Sequence, residues 1–369
     1  MLIFNKNTLT NYNSSNLSET LCLHWCSILA EVCLSMPLMV RVVIVRFILF
    51  EYFRINIVKN PQFRGMNNQN KSLRIWAGLI TLYLVWGSTY LGLHFLVESV
   101  PSLIASGFRN FLAGLVLFTF SFFSKSYQKP TKKFLITTSI SGFLMLTLGN
   151  GFFTIAVKWV PSGFAALFSA IGPVMLVALL WIFEKEKPQG KVIIGAILGI
   201  VGVLILMSLK TLALKGYEQY YTWGIMFMFL AVLAWNVGVV FVKKNDINHY
   251  SAAQIAGYQM SMGGMTTLIL AFFLGEFNNF HPLNLPPKAY FSFIYLLSLG
   301  SIIAFLVFSW LSKVAPPTLV ATYTYVNPLV AMFLGWLLAG ESLHPMMLLA
   351  SGVIITAVIL ITSVNKNTV

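Results

Sequence analysis

From residue 75 onward the chain alternates long apolar runs with short polar breaks, and the runs are of nearly equal length. Ten can be drawn, approximately over 75–96, 102–123, 134–157, 162–183, 192–209, 223–242, 252–274, 289–312, 318–338 and 345–364. A helix needs about 20 largely uncharged residues to cross a bilayer, and each run is close to that. Pro, Lys or Gly marks most of the breaks. None of the breaks is long enough for a soluble domain. The pattern predicts an all-α integral membrane protein.

One stretch occurs twice. Residues 158–186, KWVPSGFAALFSAIGPVMLVALLWIFEKE, align 155 positions later with 313–341, KVAPPTLVATYTYVNPLVAMFLGWLLAGE. Lys158, Pro161, Ala166, Pro173, Trp181 and Glu186 fall on Lys313, Pro316, Ala321, Pro328, Trp336 and Glu341. Lys, Pro, Trp and Glu are scarce here, so their agreement points to an internal duplication, with halves at 75–209 and 223–364. Lys and Arg in short loops gather on the cytoplasmic side. Placing the start of the first helix inside puts thirteen of the basic residues of the body inside and four outside (Lys158, Lys210, Lys215 and Lys288). Both ends of the ten-helix body are then cytoplasmic. A half with an odd number of helices must re-enter the membrane upside down, which predicts two inverted five-helix repeats.

Composition removes the other classes. The chain is 58% hydrophobic and 9% charged, with a mean hydropathy of +0.81, whereas soluble domains are about 25% charged. The excess of 24 Lys plus Arg over 10 Asp plus Glu is spread singly or in short groups between apolar runs. Anchoring at a membrane surface accounts for that distribution, and nucleic-acid binding does not. Residues 1–65 differ from the rest: an Asn/Ser/Thr-rich start precedes an apolar stretch broken by Glu31, Pro37, Arg41 and Arg46. This extension either lies on a membrane surface or is not translated, with synthesis starting at Met66; the second is the expectation. Cys22, His24, Cys26 and Cys33 match no standard zinc spacing, and neither a metal nor any other cofactor is expected.

The segments WGSTY (86–90), ESVPSLIASGFRNFLAG (98–114), GNGFFTIAVKWVPSGFAAL (149–167) and GSIIAFLVFSWLSKVAPPTLVATYTYVNPLVAMFLG (300–335) resemble EamA-type members of the drug/metabolite transporter superfamily. They are most similar to its YedA-type branch of bacterial inner-membrane carriers. The resemblance implies the EamA fold, two inverted halves around a central cavity, and export of small metabolites, amino acids or drugs across the inner membrane. The N-terminal extension has no counterpart in that pattern.

Polar side chains at membrane depth must be satisfied within the protein and mark candidate sites. Arg109 is the one formally charged residue well inside a run, roughly 10 Å below the outer surface at 1.5 Å per residue. It either attracts an anionic group such as a carboxylate or is a structural arginine bonded to helix-end carbonyls. The resemblance favours the structural role, because members handling different substrates share an arginine here. Pro173 and Pro328 interrupt their runs at equivalent places, and each frees a carbonyl near the bilayer centre. Ser169, Tyr323, Tyr325 and Asn327 lie around them. Asn150, Trp86, Ser88, Tyr90, Trp235, Asn236, Tyr258 and Gln259 are comparable insertions elsewhere. Together they predict an aromatic, uncharged cavity able to hydrogen-bond a small-molecule substrate.

No Asp or Glu lies deep in a run, which argues against proton coupling through a buried carboxylate. Glu98 and His94 are the proton-carrier candidates nearest a pathway, and Glu186 and Glu341 close their runs as loop anchors or gates. Gly195, Gly199 and Gly202 line one side of the fifth run, for contact within the chain or in a homodimer. Facilitated or exchange transport by rocking of the two halves is the mechanism expected. The rival readings are a non-transporting scaffold and a membrane enzyme. For the enzyme, Asp246 and His249 in one short loop are the nearest approach to a site.

Overall fold

The computed structural model describes residues 68–160, 162–185, 187–208, 219–339 and 345–363. The N-terminal extension, Glu186 and Glu341 lie outside the described residues, as does the side chain of Tyr325. Every regular element among the described residues is helical. We label them α1 (Asn68–Val97), α2 (Ser102–Phe122), α3 (Lys132–Val157), α4 in two arms (Ser162–Ser169 and Gly172–Glu184), α5 (Gly190–Ser208) and α6 (Tyr221–Asn245). They continue with α7 (Ala252–Phe273), α8 (Pro287–Val314), α9 in two arms (Pro317–Val320 and Tyr323–Ala339) and α10 (Pro345–Ser363). Six helices, α1, α2, α3, α4, α6 and α8, are long and apolar enough to cross a membrane, and α5, α9 and α10 contain shorter apolar stretches. Polar residues such as Gln254, Gln259, Thr266 and Thr267 dilute α7.

Local chemistry sets the helix limits. The Thr131 hydroxyl caps α3 by accepting from Phe134 N at 3.2 Å, and Ser251 caps α7 by accepting from Gln254 N at 3.1 Å. Pro287 and Pro317 sit in first turns, where the missing N–H has no intrahelical partner to lose. Asp246 ends α6 in a left-handed conformation, φ 45°. It is therefore a helix terminator, while the N-cap of the next helix is Ser251.

Burial is arranged for lipid. Leu84, Val116, Phe120, Ile197 and Leu337 are exposed, whereas Asn110, Thr147, Thr154, Gln259, Thr267 and Asn327 are buried. Water would favour the reverse. Polar groups inside satisfy one another: Thr147 Oγ1 donates to Gly263 O at 2.9 Å, and Gln259 Nε2 to Ser141 Oγ at 2.8 Å.

The helix ends form two clusters. At one, Tyr250 is buried against Phe134 with ring centroids 4.1 Å apart, Thr131 N donates to its hydroxyl at 3.1 Å, and Lys313 Nζ donates to its carbonyl at 2.6 Å. This joins the α2–α3 and α6–α7 connections to the end of α8. At the other, Glu276 accepts from Leu103 N and Ile104 N, both at 3.0 Å, so a residue beyond α7 caps α2. Glu276→Ala is expected to destabilise the protein by about 1 kcal/mol, as loss of a cap does. Thermal melting in detergent would show it, and an unchanged midpoint would dismiss the cap.

Candidate functional site

A cavity of about 290 Å³ lies within the body. Toward the Tyr250 end it reaches Lys243, Asn248, Lys313 and Pro317. Toward the Glu276 end it stops at Tyr90, Leu93 and Phe153. Leu96, Val100, Leu103, Val157, Val160 and their neighbours pack there into one apolar cluster.

One wall is polar and comes from α2 and α3. Arg109 and Asn110 are adjacent on α2, and Asn150 lies in a stretch of α3, Phe143–Gly151, that is wound as a π-helix. Asn150 Oδ1 accepts from Arg109 Nη2 at 2.5 Å, Ser106 Oγ at 2.9 Å and Asn110 Nδ2 at 3.5 Å. The bond of Arg109 therefore goes to a side chain, where helix-end carbonyls were one expectation. Arg109 is 5% exposed, and its buried Nε has no hydrogen-bond partner among the described residues. A second π stretch, Leu296–Ile303, occupies the middle of α8. Such stretches often occur at functional sites.

Another part of the wall is aromatic. Trp86 packs against Tyr323 at 4.6 Å, Phe308 at 5.3 Å and Trp235 at 5.9 Å between centroids, and its Nε1 donates to Gly300 O in the π stretch of α8 at 3.0 Å. Trp235 also meets Phe308 at 5.6 Å and Phe305 at 6.2 Å. These rings come from α1, α6, α8 and α9, so both sequence halves supply the wall.

Of the residues expected in a cavity, Trp86, Tyr90, Arg109, Asn150, Ser169, Trp235, Asn236, Gln259, Tyr323 and Asn327 line this one. Several are held by their own helices or neighbours. Tyr90 Oη and Ser169 Oγ are 2.9 Å apart, and Asn236 Nδ2 donates to Val232 O at 2.8 Å. Asn327, its amide turned so that nitrogen faces carbonyls, donates to Tyr323 O at 2.9 Å and Tyr83 O at 3.2 Å, joining α9 to α1.

Four expected cavity residues stand elsewhere among the described residues. Ser88 donates to Leu84 O and Val85 O, both at 2.8 Å, and pairs with the Tyr295 hydroxyl. Tyr258 packs between Phe134 and Phe118 with its hydroxyl 3.3 Å from that of Tyr127. Pro173 occupies the first turn of the second arm of α4, because the helix already breaks at 170–171; it therefore takes no bond from a continuous helix interior. Pro328 does lie inside a helix, but off the cavity, and the break in α9 precedes it at 321–322. Phe305, Phe308, Phe153, Asn110 and Ser106 were not singled out. Asn110 could have been found beside Arg109, but the phenylalanines carry no distinguishing mark in an apolar run.

His94 and Glu98 sit at the sealed end, outside the cavity wall. Glu98 Oε2 meets Lys288 Nζ at 3.3 Å, and Glu98 Oε1 meets His94 Nε2 at 3.6 Å, linking the end of α1 to the start of α8. In α5, a Cβ on Gly202 would stand 2.6 Å from Ile354 of α10, and one on Gly199 3.2 Å from Val174 of α4. These two glycines thus serve contacts within the chain. His249 packs on Tyr250 with its ring tilted and the centroids 4.2 Å apart.

Comparison with known proteins agrees with this architecture. The model of the EamA-like transporter family matches residues 74–208 and again 222–363. The inner membrane transporter YedA of Escherichia coli (strain K12) is 32% identical over 293 residues, 79% of this chain and 91% of that protein. A protein of Chlamydia muridarum (strain MoPn / Nigg), named as an S-adenosylmethionine/S-adenosylhomocysteine transporter, is 25% identical over 279 residues, 73% of this chain and 85% of its own. One solved crystal structure superposes with a TM-score of 0.60 at 16% identity, over 82% of this chain and 99% of the other, and so shares the fold.

Proposed function

Because the chain belongs to the EamA-like transporter family of the drug/metabolite superfamily, YedA-like and multi-pass in the membrane, we propose that it exports small organic solutes across the inner membrane by alternating access. The observation that carries this reading is the cavity of about 290 Å³, walled by both sequence halves, reaching one end of the body and stopped at the other by packed apolar side chains. Ten helices in two inverted halves would let the halves rock about that cavity. On the orientation given by the basic residues, the Tyr250 end faces the cytoplasm. The cavity would then be inward-facing, and the Glu98–Lys288 pair would lie on the closed outer side. Both side chains are about half exposed, so the pair contributes little to stability and is easily parted.

Purified protein in liposomes, loaded with an amino-acid and metabolite mixture, tests the reading with and without a proton gradient. At least one compound is expected to move without the gradient. Asn327→Leu is expected to slow it severalfold, because α9 loses its amide link to the backbone of α1. Folded protein that moves no compound would remove the carrier reading in favour of a scaffold.

A further inference from the structure

We infer that the solute accepted by this cavity is an organic monocarboxylate with an apolar, ring-sized body and no cationic group. This rests on the carrier reading and narrows it.

Arg109 is 5% exposed and lines the cavity, yet among the described residues its one hydrogen-bonded neighbour is the neutral amide oxygen of Asn150, at 2.5 Å. Its Nε is buried and has no partner among the described residues. Among the described residues no Asp or Glu lines the cavity, and no carboxylate lies within 4.0 Å of the guanidinium. A cation removed from water without a counter-charge is costly, and a structural arginine in a membrane span ordinarily has an acid or several carbonyls around it. An incoming carboxylate would supply the missing charge and accept end-on from the Nη hydrogens that Asn150 leaves free, in the two-pronged geometry particular to guanidinium.

The rest of the wall fits the rest of such a molecule. Trp86, Trp235, Phe305, Phe308 and Tyr323 form a box of rings in contact with one another, suited to an apolar or aromatic body. Among the described residues the same wall offers an ammonium group no carboxylate, and the buried Arg109 beside it is cationic. Aromatic faces attract cations, but only weakly unless the surrounding field agrees. A zwitterionic amino acid is therefore disfavoured against the corresponding simple acid.

Three matched probes isolate each group: 3-phenylpropionate, its neutral amide 3-phenylpropionamide, and phenylalanine, which adds an ammonium to the acid. Binding to the purified full chain is read from the change in total tryptophan fluorescence, to which Trp86 and Trp235 on the wall contribute. The acid is expected to bind about tenfold or more tightly than the amide, the difference made by one charge-assisted interaction, and more tightly than phenylalanine. Arg109→Gln should abolish the preference for acid over amide. Arg109→Lys, which keeps the charge, should retain the preference with weaker binding, and it guards against a glutamine variant that fails to fold. Equal binding of acid and amide, tighter binding of phenylalanine, no binding of the acid, or a preference that survives Arg109→Gln would each overturn the inference. If the acid binds with this selectivity but crosses no liposome membrane, the carrier reading fails and the anion site stands. Flux confined to neutral or cationic solutes would instead keep the carrier reading and overturn the anion site.

Discussion

Gly264→Leu is expected to leave little folded protein, because α2 and α7 touch through their backbones at this point. A Cβ on Gly264 would stand 2.3 Å from Phe111 N and 2.6 Å from its Cα. The contact recurs along the same crossing: a Cβ on Gly114 would be 2.3 Å from Ser261 N, and one on Gly257 2.6 Å from Phe118 N. Flexible side chains could turn aside, but main chain can yield only by separating the helices. Overpacking of an ordinary core costs about 1–3 kcal/mol. A leucine wedged against backbone exceeds that range, set against a total stability of about 5–15 kcal/mol. Function suffers even where some fold survives, since α2 carries Arg109 and α7 carries Gln259 on the cavity wall. Size-exclusion profiles and melting in detergent measure the effect. Gly352→Ala is the control, because a Cβ there meets nothing within 4 Å, and alanine should be neutral or slightly stabilising. A Gly264→Leu protein that melts like the parent would mean that the two helices are not in backbone contact.

The sequence pattern was most informative where the physics leaves a mark on residue type. Apolar run length and polar breaks put the second and seventh segments at 102–123 and 252–274, and the helices are Ser102–Phe122 and Ala252–Phe273. Amides and charges in apolar runs have few acceptable positions, which is why Arg109, Asn236, Gln259 and Asn327 are all buried and on the cavity wall. Aromatic and hydroxyl residues have no such restriction. Tyr258 and Ser88 read the same way as Tyr90 and Ser169, yet only the latter two reach the cavity, while Phe305 and Phe308 resemble any lipid-facing ring. The π stretches at Phe143–Gly151 and Leu296–Ile303 have no residue code that distinguishes them from α-helix. Glycines were noticed in α5, where Gly199 and Gly202 meet side chains, and overlooked in α2 and α7, where the approach is to backbone. A close crossing needs glycines on both partners, and that pairing becomes visible only when the partner helix is known. Proline is similarly indirect: Pro173 and Pro328 mark interrupted helices, but the interruptions occupy 170–171 and 321–322, ahead of the prolines in both halves.

Asn150→Asp is expected to make the protein more stable and less able to bind an anion, a combination that separates the roles of this residue. Its Oδ1 already lies 2.5 Å from Arg109 Nη2, so the substitution places a carboxylate against the guanidinium with almost no change of shape. Ser106 Oγ at 2.9 Å and Asn110 Nδ2 at 3.5 Å also point donors at that oxygen, and an anion accepts from them better than an amide does. Burying a charged pair often returns little, because both ions lose water. Here the cation is buried in the parent, so only the carboxylate adds a desolvation cost, and charge-assisted hydrogen bonds are worth about 1.5–3 kcal/mol. A net gain of about 1 kcal/mol is therefore the expected outcome. The internal carboxylate would also occupy the charge meant for a solute. Adding 3-phenylpropionate should raise the melting temperature of the parent protein and leave that of Asn150→Asp, already higher, unmoved. Asn150→Leu supplies the contrast: it strips Arg109 of its acceptor and should destabilise by about 3–5 kcal/mol, the usual result of leaving one buried charge alone. If the aspartate and leucine variants both melt below the parent by similar amounts, the geometry of the amide rather than the charge it faces is what matters at this position. Arg109 would then be a packing residue, with no part in selecting the solute.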